Sequence, residues 1–277
     1  MEKALKLLPL GTSDFENLRH RDQIYVDKTD MICELASVPG KFFFARPRRF
    51  GKSLLLSTFE SLFRDGLKNF QGLKIEQLWT DKSTYKVIKL DFSRVKPEGT
   101  FEDFCQYFDN YLEAQFSLIG FKKEDNGLFL SNQIEIFLAG LSSSSLVLLI
   151  DEYDAPLTAC LDNKEFFERV RNYLSRFYGI LKANDRVLRF LFITGITKFN
   201  KTSIFSELNN LSDVSLSPRF GTLLGYTHEE VETYFDGYLT QSASVLSVSR
   251  DELLRSLTKQ YDGFCFERTT TKKVFAP

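Results

Sequence analysis

The strongest constraint on the fold is a set of four apolar runs that carry no polar alternation. They are KFFFA (41–45), YKVIKLDF (85–92), SLVLLID (145–151) and RFLFITGI (189–196). A strand with one face in water alternates apolar and polar side chains, whereas a strand covered on both faces is apolar along its length. The runs therefore predict strands that are buried on both sides of one sheet.

Between these runs lie stretches whose apolar residues recur at helical spacing. They are residues 53–63 (SLLLSTFESLF), 100–118 and 164–183. The second opens with Thr100, followed three residues later by Asp103, which is a variant of the capping box that begins many helices. Strands that alternate with helices are typical of a parallel sheet with helices on both faces, so the predicted fold class is α/β.

After the fourth run the sequence becomes rich in Asn, Ser, Thr and Gly. One further short strand is expected around 213–217. Helices are expected at 227–239, where Thr227 and Glu230 form a capping box, and at 251–260, and together they would make a small helical lid. The chain then stops at VFAP after strand-like pieces, which leaves both a natural end and a truncation open.

Composition excludes several classes of protein. Hydrophobic residues make up 43% of the 277 residues, enough for a large core, and the net charge of −1 excludes a basic field over the whole surface for nucleic acid. Four cysteines without CxxC spacing favour reduced thiols over a zinc site or a disulfide framework. The start is too short and charged for a signal peptide, and no apolar run approaches the roughly 18 residues that span a bilayer. A cytoplasmic protein without membrane contact is therefore expected.

The segment ARPRRFGKSLLL (45–56) follows the first predicted strand and leads into a predicted helix. Gly51, Lys52 and Ser53 fall where a phosphate-binding loop needs them. Backbone N–H groups at a helix start cradle anions, the lysine reaches the β- and γ-phosphates, and the hydroxyl holds Mg²⁺. Arg46 stands where the usual loop has its first glycine. The stretch can be interpreted as a nucleotide loop, as a cationic patch for nucleic acid, or as a charged turn without chemistry.

The strand before the loop and the helix after it favour the nucleotide interpretation. Pro47 can stiffen the turn in place of the glycine, because its φ is locked at about −65°. The three arginines would add positive charge around the phosphates or bind another acidic partner. The predicted nucleotide-binding residues are Arg46, Pro47, Arg48, Arg49, Phe50, Gly51, Lys52, Ser53 and Leu54.

A second candidate lies in SLVLLIDEYDAPL, where a buried strand delivers acidic side chains to its carboxyl end. Ligands of open α/β sheets bind at that edge. Asp151 is expected to hold Mg²⁺ through water, together with Ser53, and Glu152 is expected to polarise the attacking water. Asp154 would either support these groups or lie in solvent. An acidic turn without function is the alternative interpretation.

The fourth predicted strand ends in a cluster of polar residues. In nucleotide hydrolases a polar residue at this point senses the γ-phosphate and orients water, and Thr194 or Thr197 is the candidate, with Asn200 as a weaker one. The alternative is that these hydroxyls only satisfy loop backbone. A guanine-specific site would carry Asn-Lys-x-Asp, and no aspartate follows Asn200 and Lys201 at that spacing. The sequence therefore favours ATP over GTP.

Phosphoryl transfer also calls for a cation near the charge that develops on the transferred group. An arginine from a lid or a neighbouring molecule often supplies it. Arg219, in SPRFGTLLGYT just before the predicted lid helices, is the first candidate for this catalytic role, and an ordinary surface arginine is the alternative.

Six motifs carry a resemblance to a known family: YVDKT (25–29), FFFARPRRFGKSLLLSTFESLF (42–63), LLIDEYDAPL (148–157), FITGITKFNKTSIFSELNNLSD (192–213), GYTHEEV (225–231) and YDGFCF (261–266). They resemble the AAA-ATPase-like family of prokaryotic P-loop proteins over nearly the whole chain. RPRRFGKS corresponds to its Walker A loop and IDEYD to its Walker B strand end. In that family the loop typically reads RPRRFGKS, so Arg46 agrees with the family pattern.

The resemblance implies a P-loop NTPase with sheet order 5-1-4-3-2. An ATPase core is expected over 1–222, and a helical lid or winged-helix-like segment, expected to be truncated, over 223–277. Relatives often carry a C-terminal nuclease-like domain of the PD-(D/E)XK group. This chain contains no Glu-x-Lys, and its single Asp-x-Lys, from Asp162 to Lys164, begins a predicted helix of the core. Nuclease activity is therefore not expected.

The expected function is Mg²⁺-dependent hydrolysis of ATP that drives a conformational change. A nucleotide-dependent switch or binding module with little hydrolysis is the alternative, and direct nucleic-acid binding through residues 46–49 is a third, which the near-neutral net charge disfavours. ATP and Mg²⁺ are the expected cofactors. Nucleic acid, a partner protein and a homo-oligomer remain open as partners.

Overall fold

The structure is a computed structural model that describes residues 5–196, 208, 210–267 and 272–277. Its strands are β1 (Gly40–Ala45), β2 (Lys86–Asp91), β3 (Leu146–Asp151), β4 (Leu188–Gly195) and β5 (Ser212–Asp213). Its α-helices are α1 (Phe15–His20), α2 (Thr29–Ala36), α3 (Lys52–Asp65), α4 (Phe101–Ser117), α5 (Leu130–Ala139), α6 (Ala155–Thr158), α7 (Lys164–Ala183), α8 (His228–Tyr234), α9 (Asp236–Leu246) and α10 (Arg250–Tyr261).

The five strands form one parallel sheet in the order β2-β3-β4-β1-β5. This confirms the predicted α/β class and the predicted order 5-1-4-3-2. The last residues of neighbouring strands are in register, since Ala45 pairs with Gly195 and Asp91 pairs with Asp151. Because β4 lies between β1 and β3, the loop after β1 and the acidic end of β3 flank the carboxyl end of β4.

Two apolar cores lie on opposite faces of the sheet, because successive strand residues point to opposite sides. Phe44 faces the layer formed by α1, α2 and α3, whereas Phe43 faces the layer formed by α4, α5 and α7. The side chains of β3 and β4 alternate between the two faces in the same way. Leu149 and Phe192 lie on the first face, and Ile150 lies on the second. Coverage on both faces is the reason that the predicted strands are apolar throughout.

Aromatic rings hold α3 against the sheet. The Phe59 ring lies 5.0 Å from the Phe190 ring and 4.9 Å from the Phe192 ring, and the Phe63 ring lies 5.0 Å from the Phe190 ring. Phe59 and Phe63 have no exposed surface. Because α3 begins at Lys52, these contacts also fix the point at which the segment between β1 and α3 ends.

Most of the predicted helices are confirmed. α7 has the predicted bounds, α3 and α4 differ by one or two residues, and the capping box of Thr100 and Asp103 has both of its hydrogen bonds. The sequence analysis predicts none of α1, α2, α5 and α6. α1 and α6 are six and four residues long, too short for a periodic pattern to stand out.

One prediction in the C-terminal part is wrong. Residues 227–239 form two helices and not one, because Phe235 leaves the helical conformation (φ −112°, ψ 16°) and its ring packs 5.4 Å from the Tyr226 ring. The capping box of Thr227 and Glu230 is confirmed. The predicted helix at 251–260 is α10. The strand predicted around 213–217 overlaps the two-residue β5 only at Asp213, and residues 214–217 are not in a strand.

A few backbone contacts join residues within the C-terminal part. Isolated antiparallel bridges join Tyr226 to Phe275 and Phe264 to Val274. A small apolar cluster includes Val231, Leu239 and Phe275. The predicted boundary between 222 and 223 stays a prediction. Within the described ranges, none of the helices has the length and apolar character needed to traverse a bilayer.

Candidate functional site: a cavity at the phosphate-binding segment

The segment between β1 and α3 turns on two residues with left-handed backbone conformations. Gly51, immediately before α3, has φ 87°, a value that a glycine adopts without steric cost. Arg49 has φ 65°, which is disfavoured for a residue with a side chain. The turn brings the N-terminus of the 14-residue α3 to the rim of the sheet, where its unpaired N–H groups and dipole favour an anion.

A cavity of about 720 Å³ lies against this turn. Residues 49–55 of the segment between β1 and α3 and of the first turn of α3 line it, as does Glu152. The lining also includes residues 9–13, residues 24–26, Lys28 and residues 223–226. Much of this further lining is apolar, with side chains that include Leu10, Ile24, Val26, Leu223, Leu224 and Tyr226.

Lys52 is a buried cation, with 5% of its surface exposed. Its ammonium group donates to the backbone carbonyls of Arg46 and Pro47, at 3.0 Å each. Burial lowers the pKa of Lys52, and the nearby carboxylates of Asp151 and Glu152 oppose that shift. The loop therefore curls around its own lysine, as a loop that presents an ammonium group to phosphates requires.

Asp151 ties the ends of β3 and β4 to the start of α3. Its Oδ2 accepts a hydrogen bond from the Ser53 hydroxyl at 2.6 Å, and its Oδ1 accepts one from the Thr194 hydroxyl at 2.6 Å. The backbone N–H of Glu152 also donates to Oδ1, at 3.0 Å. Hydroxyl and carboxylate oxygens are the ligands that Mg²⁺ prefers, so this pair fits the expected metal.

Glu152 follows directly and shares the cavity with Lys52. It has φ 47°, a second left-handed residue that is not glycine, which turns the chain away from β3. Burial raises the pKa of Glu152, and the neighbouring negative charge of Asp151 raises it further. A carboxylate that is held more basic than usual beside a lysine can accept a proton from water.

Thr194 and Asp154 lie behind these groups. Thr194 is fully buried and its hydroxyl donates to Asp151; its predicted role toward a γ-phosphate stays a prediction. Asp154 is 2% exposed and accepts from the backbone N–H of Ile196 at 3.0 Å, which excludes the solvated alternative. Thr197 and Asn200 lie outside the described residues.

Arg46 does not face the cavity, contrary to the expectation that it adds charge around the phosphates. It is 1% exposed and donates to the carbonyls of Ala45, Ser215 and Phe220 at 2.8, 2.7 and 3.1 Å. Its guanidinium lies between the rings of Phe44 and Phe266, 4.0 and 4.1 Å from their centroids. Burial lowers the pKa of Arg46 to about 9, which still leaves it charged at neutral pH.

Arg219 is also placed differently from the expectation. Its side chain is 72% exposed and pairs with Glu34 at 2.5 Å, and it does not line the cavity. The reason is that residues 215–220 are drawn to the buried Arg46, which leaves Arg219 on the outer surface. Arg48 and Arg49 are exposed, and Arg49 lines the cavity.

Three other predicted nucleotide-binding residues have distinct surroundings. The Phe50 ring packs 4.8 Å from the Phe264 ring and 5.3 Å from the Phe266 ring. Leu54 lines the cavity together with Ser53. Pro47 is half-buried and offers its carbonyl to Lys52.

The structure adds residues to which sequence reasoning assigns no role. Lys28, in the YVDKT motif, lines the cavity and is 6% exposed. It donates to Glu230 at 2.6 Å and to the carbonyl of Thr222 at 2.7 Å. The adjacent backbone N–H of Asp27 donates to the Tyr234 hydroxyl at 3.2 Å. The sequence signal was a lysine beside an aspartate in YVDKT, but the partners of Lys28 lie some 200 residues away and no spacing rule joins them.

We expect Arg46→Gly, which would restore the usual loop glycine, to destabilise the protein. The change removes three charge-assisted hydrogen bonds to buried carbonyls, each worth about 1.5–3 kcal/mol. A loss of about 3 kcal/mol or more in the free energy of unfolding should appear in urea denaturation. Arg48→Ala, at an exposed neighbour, should change it by only about 0.5 kcal/mol. Equal stability of Arg46→Gly and wild type would contradict this interpretation.

We expect the Thr194 hydroxyl to be needed for its contact with Asp151. Thr194→Val keeps the shape but removes the donor, and should cost about 1–3 kcal/mol in the free energy of unfolding. Thr194→Ser keeps the hydroxyl and should cost less than the valine variant. Urea denaturation of both variants measures the difference, and a serine variant that is less stable than the valine variant would show that packing dominates.

The chain is similar to one protein family and to two known proteins. Residues 9–205 match the family described as "Predicted AAA-ATPase". The chain is 32% identical over 233 residues to the Azotobacter chroococcum mcd 1 protein named "Uncharacterized protein in vnfD 5'region"; the match covers 83% of this chain and 45% of that protein, so the chain spans less than half of its length. The structure of Cdc6p from Pyrobaculum aerophilum aligns with a TM-score of 0.38 and 14% identity, over 79% of this chain and 52% of that one. Since the family match extends over more than half of the residues, the chain belongs to the AAA-ATPase-like family.

Proposed function

We propose that the cavity binds ATP together with Mg²⁺ and that the protein hydrolyses the bound ATP to drive a conformational change. The observation that carries the proposal is the direct contact between Ser53, at the start of α3, and Asp151, at the end of β3. Lys52 and Glu152 both line the cavity, and the charge of Lys52 acts on the Glu152 carboxylate. Family membership supports nucleotide binding by a P-loop protein.

The cavity has both charged and apolar lining residues, which suit the two parts of a nucleotide. Phosphates would lie on the loop, where the N-terminus of α3, Gly51 and Lys52 offer N–H groups and a positive charge. A purine ring would lie against the apolar lining at 9–13, 24–26 and 223–226. The volume of about 720 Å³ falls within the range of small-molecule sites.

Ser53 and Asp151 would hold the metal. Bound Mg²⁺ would neutralise charge on the phosphate oxygens and help to position the terminal phosphate. Thr194 and the N–H of Glu152 would keep the Asp151 carboxylate oriented, since both donate to its Oδ1.

Glu152 would orient the attacking water and accept its proton. Its raised pKa suits this role, because a more basic carboxylate is a better proton acceptor. Lys52 would turn from the carbonyls of Arg46 and Pro47 toward the phosphates, so that its charge meets the negative charge of the substrate.

The conformational change would pass through the C-terminal part of the chain. Phe50 and Arg46 contact Phe266, and Lys28 joins the cavity to Glu230 of α8. A nucleotide bound between the loop and residues 223–226 would therefore alter the contacts of Phe266 and the contact between Lys28 and Glu230. A link to nucleic-acid processing remains a further proposal, because no described contact is specific to nucleic acid.

A nucleotide-dependent switch is the second candidate, and the position of Arg219 favours it. The cation expected from the lid points away from the cavity, so a partner molecule could be needed to supply it. Steady-state release of phosphate from MgATP by the isolated protein separates an ATPase from a switch, since a switch binds ATP and releases phosphate only at the background rate.

We expect Lys52→Ala and Glu152→Gln to affect different steps. Lys52→Ala should weaken ATP binding by roughly 10- to 100-fold, because a charged contact to phosphate is lost. Glu152→Gln should bind ATP nearly as wild type but turn over about 10²–10⁴-fold more slowly. A fluorescent ATP titration and phosphate release measure the two effects, with Lys122→Ala, an exposed lysine after α4, as the control. Unchanged turnover in both variants would refute the ATPase proposal, and tighter binding of a GTP analogue would refute the preference for ATP.

We expect activity to require Mg²⁺ and to depend on the Ser53 hydroxyl. Omitting Mg²⁺ in the presence of EDTA should abolish turnover, because the charge of the phosphates is then not neutralised. Ser53→Ala should raise the Mg²⁺ concentration needed for half-maximal turnover, whereas Ser53→Thr, which keeps a hydroxyl, should raise it less. Equal Mg²⁺ requirements of wild type and Ser53→Ala would show that Ser53 is not a ligand.

A further inference from the structure

We propose that Arg49 is the arginine that stabilises the charge developing on the transferred phosphoryl group, so that the phosphate-binding loop itself supplies the cation expected from the lid. The inference rests on the proposed ATPase function and deepens it. Four observations lead to it: the backbone of Arg49, its place in the cavity, its lack of partners, and the engagement of the other cations.

The backbone of Arg49 is held in a conformation that a glycine would adopt more easily. Its φ is 65°, and of the loop residues described, Gly51 has the other positive φ. A non-glycine residue kept in this region costs stability, and such residues concentrate at functional sites. Glu152, the proposed catalytic carboxylate, is the second left-handed non-glycine residue that lines the same cavity.

Arg49 is one of the residues that line the cavity, as are Lys52, Ser53 and Glu152. Arg48 does not line the cavity, although its positive charge contributes to lowering the pKa of Lys52. Of the two exposed loop arginines, Arg49 is therefore the one in contact with the proposed nucleotide cavity.

Among the described cations that line the cavity, Arg49 is the one without a hydrogen-bond or ion-pair partner. Over the residues that the structure describes, its guanidinium makes no hydrogen bond or ion pair, and the side chain is exposed. Lys28 is held by Glu230 and Thr222, and Lys52 is held by loop carbonyls. Arg46 and Arg219 are engaged outside the cavity.

The chemistry of the guanidinium fits the proposed role. In phosphoryl transfer, negative charge spreads over the terminal phosphate oxygens in the transition state, and a planar group with several N–H donors can bridge two of them. A lysine would supply the charge without that geometry. Arg49 would therefore act on the rate of the chemical step more than on the binding of ATP.

The test rests on two effects expected of Arg49→Gly: the stability of the protein should rise, and its turnover of ATP should fall. Arg49→Gly relieves the backbone, so the urea midpoint should rise above that of wild type, while kcat should fall on the order of 10³-fold with KM changed much less. Arg49→Lys should restore only part of kcat. Low-millimolar guanidinium should partly rescue Arg49→Gly, and the same concentration of NaCl should not.

Three further variants test whether the loss of kcat is specific to Arg49 among the arginines. Arg48→Ala should lower kcat far less than Arg49→Gly, because its side chain does not line the cavity. Arg219→Ala should likewise leave kcat close to wild type. Arg255→Ala, an exposed arginine of α10, removes the same charge at a distance and serves as the control.

The possible outcomes are distinguishable. If wild type turns over MgATP and Arg49→Gly keeps its kcat, the inference about Arg49 is overturned while the ATPase proposal stands. It is also overturned if Arg219→Ala shows the 10³-fold loss instead, or if specific activity rises with protein concentration in a way that requires an arginine from a second copy. Absence of Lys52-dependent turnover in wild type overturns both proposals.

Discussion

The hydrogen bond between the Ser53 hydroxyl and the Asp151 carboxylate is the contact on which the rest of the site depends. It joins the first turn of α3 to the end of β3, across the end of β4. Thr194 and the N–H of Glu152 hold the other carboxylate oxygen, so Asp151 has little freedom to turn. The aromatic packing of α3 on β4 then fixes the distance that this contact needs.

A buried arginine, Arg46, occupies the position at which the usual phosphate-binding loop has its first glycine. Arg46 leaves the sheet at the point where a small residue would let the loop turn freely, and it binds the carbonyls of residues 215 and 220 instead. Its stacking on Phe266 and the packing of Phe50 on Phe264 make the loop part of the interface with the C-terminal part of the chain. A change in loop conformation would therefore reach α8 and the residues after it.

The parts of the fold that follow from repetitive patterns were predictable. Buried parallel strands are uniformly apolar, and α4 and α7 have long amphipathic periods with recognisable caps, so their positions are close to those expected. Short helices such as α6, and the break at Phe235, depend on single tertiary contacts, which leave no periodic signal. At the site, the residue types of the loop and of the acidic strand end were predictable, but the direction of each side chain was not.

The sequence by itself determined the sheet, the loop that precedes α3, and the delivery of Lys52, Ser53, Asp151 and Glu152 to one edge, because these follow from chain order and from the geometry of parallel strands. Only the tertiary structure decided which arginine faces the cavity. The side chains of Arg46, Arg49 and Arg219 have the same chemistry, and their roles are separated by burial, backbone conformation and the position of partners distant in sequence. Such contacts depend on how the elements pack, and local sequence does not specify them.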